Sequence, residues 1–301
     1  MMKALVTGGT GFIGSNLALN LENMGWEVLI LDDFSCGHFK NLLGFHGDVI
    51  AESILNVDLS CFDDLDVIFH QAAITDTTLM DQKRMMEVNV EGFRRLLTFA
   101  VKRQIPFIYA SSAGTYGLSS APQKEEQAGK PINIYGFSKW IGDCLAKKYM
   151  SKYKSLIVGL RYFNVFGPRE GHKGKMASMV WQLAQQMLSG KRPRIFKWGE
   201  QKRDQVYIKD VVRATLLALE AKESGIVNIG TGRTISFNYI IKILNQVLGT
   251  NYMPDYFDNP YKEFYQEHTQ ADLSLTKKLL GYEPKWPFEE AVKDYMNWLK
   301  E

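Results

Sequence analysis

Tyr135 and Lys139 stand four residues apart in "YGFSK". On a helix that spacing places both side chains on one face. A nearby ammonium lowers the pKa of a phenol, so such a tyrosine can give or take a proton near neutral pH. Taken alone, the pair is also what an ordinary surface helix carries. Upstream, "YASSAGTYG" closes an apolar run with Ser111 and Ser112. A serine at the end of a strand can hydrogen-bond a substrate hydroxyl or carbonyl, or merely cap a turn. Lys173 lies in "RYFNVFGPREGHKGKMAS", between His172 and Gly174, in a polar loop joining a strand-like to a helix-like stretch. It is a solvated charge or an acid/base group according to what the rest of the chain builds around it.

Near the start, "VTGGTGFIGSNL" sets Gly8, Gly11 and Gly14 between a strand and a helix, with Phe12 and Ile13 inside the spacing. Glycines let the backbone turn tightly and approach a pyrophosphate, and the helix N-terminus then offers free amides to the phosphates. The next strand ends in Asp32 and Asp33, where an acid can bind the ribose hydroxyls of a dinucleotide. An acid there leans toward NAD, because it repels a 2′-phosphate. His38 and Lys40 follow closely and could offset that charge, which leaves NAD against NADP open on chemistry alone.

Strands and helices must position these groups. The runs "KALVTGG", "WEVLILDDF", "DVIFHQAA", "PFIYASSAG", "SLIVGLRYFNVFG" and "GIVNIGTG" are short and apolar, several without alternation, as in strands covered on both faces. Helices are predicted between them over Ile13–Met24, Gln82–Arg103 and Tyr135–Lys152. This alternation predicts an α/β fold with a doubly wound parallel sheet. After Gly167 the pattern turns mostly helical: "MASMVWQLAQQMLSG" stopped by Gly190, "DVVRATLLALEAK", "SFNYIIKILNQVLG" capped by Ser236, and "FEEAVKDYMNWLKE". The expected division is a dinucleotide-binding domain of residues 1–167 plus about 204–232, and a smaller substrate lobe of about 168–203 and 233–301.

Composition excludes several classes. The chain has 301 residues, 46% hydrophobic and 23% charged, the balance of a globular protein. A net charge of +3, with Lys and Arg scattered, does not point to nucleic acid. Cys36, Cys61 and Cys144 have neither disulfide nor metal-ligand spacing, and the five histidines show none either. No apolar run reaches the roughly 18 residues of a membrane helix, and the N-terminus lacks signal-peptide anatomy. The expectation is a cytoplasmic protein with no membrane partner and no metal.

The glycine loop, the strand-end serines and YxxxK, in that order, resemble the extended short-chain dehydrogenase/reductases over essentially the whole chain. That resemblance implies a Rossmann-type fold, action on nucleotide-linked sugars, and catalytic roles for Ser112, Tyr135 and Lys139. Ser112 is taken because it lies four residues before Tyr116 in "SSxxxYG". "HQAAIT" is similar to the family's cofactor-lining strand end, giving Gln71, Ala72 and Ala73, and Asn89 matches its helical asparagine. Within the family, "PREGHKG", "KRDQVYIKDV", "IVNIGTG" and "YQEHTQADL" resemble the ADP-L-glycero-D-manno-heptose 6-epimerases. By that resemblance Lys173 is a second acid/base and a cofactor neighbour, and Asn164 faces both cofactor and substrate. Lys175, Gln182, Phe196, Arg203 and Tyr265 are then expected to meet the substrate, Arg203 at its diphosphate. The implied reaction interconverts ADP-D-glycero- and ADP-L-glycero-D-manno-heptose at C6″ through a ketone. The implied cofactor is tightly bound NADP, or NAD, with Lys40 among its contacts. The same resemblance implies a homo-oligomer, a pentamer in relatives, and a part in making lipopolysaccharide. "DDFSCGHFK" departs from the subfamily's pattern, as do Lys175 and Gln182.

Two kinds of rival stand beside this, another enzyme of the same superfamily and a protein without turnover. A sugar 4-epimerase manages with the tyrosine alone, and a 4,6-dehydratase needs an acidic pair that "SSAGTYG" lacks. A cofactor-binding protein without turnover would commonly have lost the tyrosine or lysine that this chain retains.

Overall fold

The computed structural model describes every residue except Thr78, Met80, residues 261–265 and Glu301. Its strands are β1 Lys3–Thr7, β2 Glu27–Leu31, β3 Asp48–Ile50, β4 Val67–His70, β5 Phe107–Ser112, β6 Ile157–Tyr162, β7 Asn164–Phe166, β8 Arg194–Phe196, β9 Lys202–Tyr207, β10 Gly225–Ile229, β11 Thr234–Ser236 and β12 Asp255–Phe257. Its helices are α1 Phe12–Asn23, α2 Gln82–Met86, α3 Phe93–Lys102, α4 Ile134–Met150, α5 Met179–Leu188, α6 Ile208–Leu219, α7 Phe237–Leu248, α8 Ser274–Leu280 and α9 Phe288–Trp298.

A seven-stranded parallel sheet runs in the order β10-β6-β5-β4-β1-β2-β3. Strand order reverses between β1 and β4, and in such sheets ligands settle beyond the C-terminal strand ends at that point. All six residues of β6 and all four of β4 are buried, which explains why these runs read as apolar without alternation. The predicted helix over Gln82–Arg103 is α2 and α3 joined by a π-helical turn at Glu87–Gly92. The run "SLIVGLRYFNVFG" divides at Phe163, where β7 leaves the large sheet to pair with β9. A three-stranded group β11-β9-β7 and a pair β12-β8 complete the fold. Ser236 caps α7 as expected, its hydroxyl accepting from the Tyr239 amide.

Apolar side chains fill both faces of the large sheet. Arg161 of β6, 1% exposed, brings a charge among them. Its Nε donates to Asp143 of α4 at 2.9 Å, and Asp143 also accepts from the Tyr109 hydroxyl at 2.9 Å. Removing one partner of such a pair strands a buried charge. Asp143→Ala is therefore expected to destabilise the protein by about 3–5 kcal/mol, read as a lower midpoint in urea denaturation.

Candidate active site

A cavity of about 1140 Å³ opens at the C-terminal ends of the sheet strands. Single small-molecule pockets hold roughly 300–1,000 Å³, so this one has room for two ligands side by side.

Asn133 starts α4 by accepting from the Gly136 amide at 2.8 Å, and this sets the first turn facing the end of β5. Tyr135 and Lys139 both reach the cavity, as does Ser112. The Tyr135 phenol is hydrogen-bonded to Ser112, which pulls its pKa down against the upward push of burial. Lys139 Nζ donates to the Ala110 carbonyl at 2.8 Å and lies 6.0 Å from the centre of the Tyr135 ring. Burial brings the Lys139 ammonium down to about 8, partly opposed by Asp143 one turn further along α4. Tyrosine, serine and a softened ammonium thus stand in one group: the YxxxK spacing implied the first and last, and the family resemblance the serine.

Asn89 stands outside the cavity wall and braces it. From the π-helical turn, its amide donates to the Ile74 carbonyl at 2.9 Å and accepts from the Ile74 amide at 2.8 Å. It also donates to Ser138 Oγ at 3.0 Å. Asn89 therefore ties the segment after β4 to α4. That segment brings Gln71, Ala72 and Ala73 to the wall, in line with "HQAAIT".

Gly8, Gly11, Phe12, Ile13 and Gly14 line the floor between β1 and α1. Gly8 holds φ +69°, and a Cβ there would stand 2.6 Å from the Ala72 amide nitrogen. A Cβ on Gly14 would stand 2.1 Å from the Gly8 carbonyl oxygen, so α1 packs on the loop only with glycine there. Asp32 accepts from the Thr10 amide at 2.9 Å and from the Phe34 amide at 2.8 Å, clamping the end of β2 to the glycine loop. Asp33 and Glu52 line the same corner. Lys40 does not: it sits exposed on the short 3-10 turn Phe39–Leu42, its amide held by the His38 ring. A dinucleotide fits this end. The backbone is bare where phosphates would lie, the α1 N-terminus faces them, and the Ser111 hydroxyl is buried in the wall with no hydrogen-bond partner among the described residues.

A strap crosses from Gly167 to Ser178. Glu170, wholly buried, accepts from the Gly167 amide at 3.0 Å and from the Ser178 hydroxyl at 2.8 Å, so it fastens both ends. Arg169 donates to the Asn41 carbonyl at 3.1 Å, and Asn16 of α1 donates to the Pro168 carbonyl at 3.0 Å. The Asn41 side chain lies 3.0 Å from His172 Nδ1 and donates to the Thr10 carbonyl at 2.9 Å. The strap is thus tied to both walls of the glycine-loop end. It carries Lys173 into the cavity, with Nζ 5.6 Å from the centre of the Phe12 ring. Burial lowers the Lys173 pKa, partly opposed by Glu170. Lys173 is not a solvated loop charge.

At the far end, Asn164, Gln182, Phe196 and Arg203 line the cavity. Phe196 packs edge-on against Phe257 at 4.9 Å, and Arg203 lies over Phe237 at 5.9 Å. Lys175 is exposed and outside the wall: the turn that points Lys173 inward points it away. Tyr265 lies outside the described residues. The sequence reading missed Glu170, Gln205 and Phe257. Glu170 was visible in "PREGHKG", but its partners are not local. Phe257 reaches the cavity only because β12 pairs with β8. Among the described residues no cluster of three His, Cys, Asp or Glu side chains could hold a metal ion, and no helix is long and apolar enough to cross a membrane.

Residues 4–230 match the NAD dependent epimerase/dehydratase family. The chain belongs to that family. Among solved structures of such epimerases, it is similar to the ADP-L-glycero-D-manno-heptose-6-epimerase of Helicobacter pylori, with 41% identity, 99% of this chain and 96% of that one covered, and a TM-score of 0.93. It is also similar to the UDP-glucose 4-epimerase of Thermotoga maritima bound to UDP-glucose, at 32% identity over the whole of both chains with a TM-score of 0.91. The UDP-glucuronic acid 4-epimerase of Bacillus cereus, in complex with UDP-glucuronic acid and NAD, matches at 31% identity over 99% of each chain, with a TM-score of 0.88. Each of these three relatives is an epimerase, and each matches this chain over nearly its whole length.

Proposed function

We propose that the protein interconverts ADP-D-glycero- and ADP-L-glycero-D-manno-heptose at C6″ through a transient ketone. The observation that carries this reading is that Tyr135 of α4 and Lys173 of the strap reach one cavity from separate elements. The likeness to the Helicobacter pylori enzyme supports the heptose. Inverting a secondary alcohol requires the carbonyl to present both faces, and its oxygen then points to different walls in turn. Tyr135 moves the hydroxyl proton in one orientation, with Ser112 hydrogen-bonding the oxygen and Lys139 keeping positive charge beside the phenol. Lys173 moves it in the other. A bound nicotinamide supplies the acceptor and donor of hydride at the inverted carbon. Gly8, Gly11, Gly14, Asp32 and Asn164 would hold that cofactor, within a domain of residues 1–167 plus about 204–232, leaving 168–203 and 233–301 to the sugar nucleotide. Asp32, Asp33 and Glu52 at the ribose corner, with Lys40 outside it, favour NAD over NADP in this chain.

Proton NMR of the purified protein with ADP-D-glycero-D-manno-heptose tests the proposal. Appearance of the C6″ epimer is expected, and the cofactor released on denaturation should be NAD by mass. Inertness toward the heptose together with C4″ epimerisation of UDP-glucose would leave the family standing and replace the substrate.

A further inference from the structure

β9 carries a cavity-lining polar group that has been given no role so far. Gln205 is 3% exposed, lines the cavity, and its side-chain oxygen has no hydrogen-bond partner among the described residues. An unpaired buried amide oxygen is costly, and a ligand that donates to it recovers that cost. The strand holding it is rigid. Asp204, the preceding residue, is fully buried and accepts from the amides of Thr231 at 2.7 Å, Gly232 at 2.9 Å and Ala271 at 3.0 Å.

Register fixes where along the ligand Gln205 stands. Ser112 lies opposite Tyr162 in the large sheet, and Asn164, two residues on, lies opposite Gln205. Arg203 is two residues back along β9, so it shares a face with Gln205, and both line the cavity. Gln205 is therefore placed between the proton-transfer group at Ser112 and Tyr135 and the guanidinium proposed for the diphosphate. In a nucleotide sugar, the part spanning that interval is the sugar ring.

We propose that Gln205 recognises the sugar, its amide receiving a ring hydroxyl between the inverted carbon and the diphosphate. This rests on the nucleotide-sugar reading above. A hydroxyl both donates and accepts, which an amide can match at either end. Gln205 then contributes to choosing among sugars and leaves the nucleotide to other residues.

Calorimetry on the cofactor-loaded protein tests this with two pairs of probes: ADP-D-glycero-D-manno-heptose beside ADP, and UDP-glucose beside UDP. Gln205→Leu removes the amide at similar volume, and Gln205→Met is an unbranched second choice should the leucine variant fail to fold. The dissociation constant of the sugar nucleotide that wild type binds should rise by about tenfold or more, with that of its free nucleotide unchanged. Equal binding of the sugar nucleotide by wild type and variant overturns the role of Gln205 alone. Equal weakening of sugar nucleotide and free nucleotide overturns it as well, since the amide then meets the nucleotide. Failure of wild type to bind either sugar nucleotide removes the nucleotide-sugar reading, and this inference with it.

Discussion

Tyr135→Phe is expected to lower the epimerisation rate by about 10²–10⁴-fold, with cofactor binding and thermal stability close to wild type. The substitution removes one oxygen from a half-buried ring and leaves α4, its Asn133 cap and the Lys139 contact to the Ala110 carbonyl untouched. What it removes is the proton-transfer group bonded to Ser112. Steady-state NMR rates of wild type and variant, taken beside melting curves, decide it: a variant that keeps wild-type turnover sinks the assignment. The pH profile gives a second readout. Lys139 is charged below about 8 and loses its proton as pH rises through that value. Activity that depends on the ammonium is therefore full at neutral pH and falls on the alkaline side.

Lys173→Met should also cost about 10²–10⁴-fold in epimerisation, with a distinct signature. If the two groups serve opposite orientations of one carbonyl, each variant retains the half of the reaction that its surviving group supports. Mixing Lys173→Met with each heptose epimer should therefore give transient nicotinamide reduction with one of them, and Tyr135→Phe with the other. Methionine keeps an unbranched stem, and the Glu170 bonds to Gly167 and Ser178 that fasten the strap do not involve the Lys173 side chain, so the strap stays in place. Wild-type epimerisation by Lys173→Met would return the lysine to a purely positional part in the strap.

The large sheet was legible because its strands are apolar on both faces: "DVIFHQAA" and "SLIVGLRYFNVFG" needed no partner information to read as buried strands. β9 was not, because "KRDQVY" combines charged residues with a position in a cavity wall, where polarity is tolerated for a ligand's sake. β3, β8 and β12 have three residues each, too few for a period to show. α8 is a seven-residue helix lacking a side-chain cap and was missed for the same reason. Tyr135 and Lys139 could be found from spacing, since a helix turn fixes them locally, whereas the strand end offered Ser111 and Ser112 alike and the family resemblance chose Ser112. Lys40 and Lys175 could not be placed: whether a loop lysine points in or out depends on the turn that carries it. The π-helical turn at Asn89 was equally hidden, because its amide is bonded to a loop 15 residues away.

The strap has a kinetic meaning. Its ties to Asn41, to Asn16 and across to Ser178 hold it against the glycine-loop end, where a dinucleotide would lie. If a dinucleotide lies behind the strap, its exchange requires those bonds to open, and release is expected to be slow compared with turnover. A cofactor held in this way would behave as a prosthetic group. Its oxidation state would then follow the enzyme's own cycle, insulated from the ratio of oxidised to reduced nicotinamide in the surrounding pool.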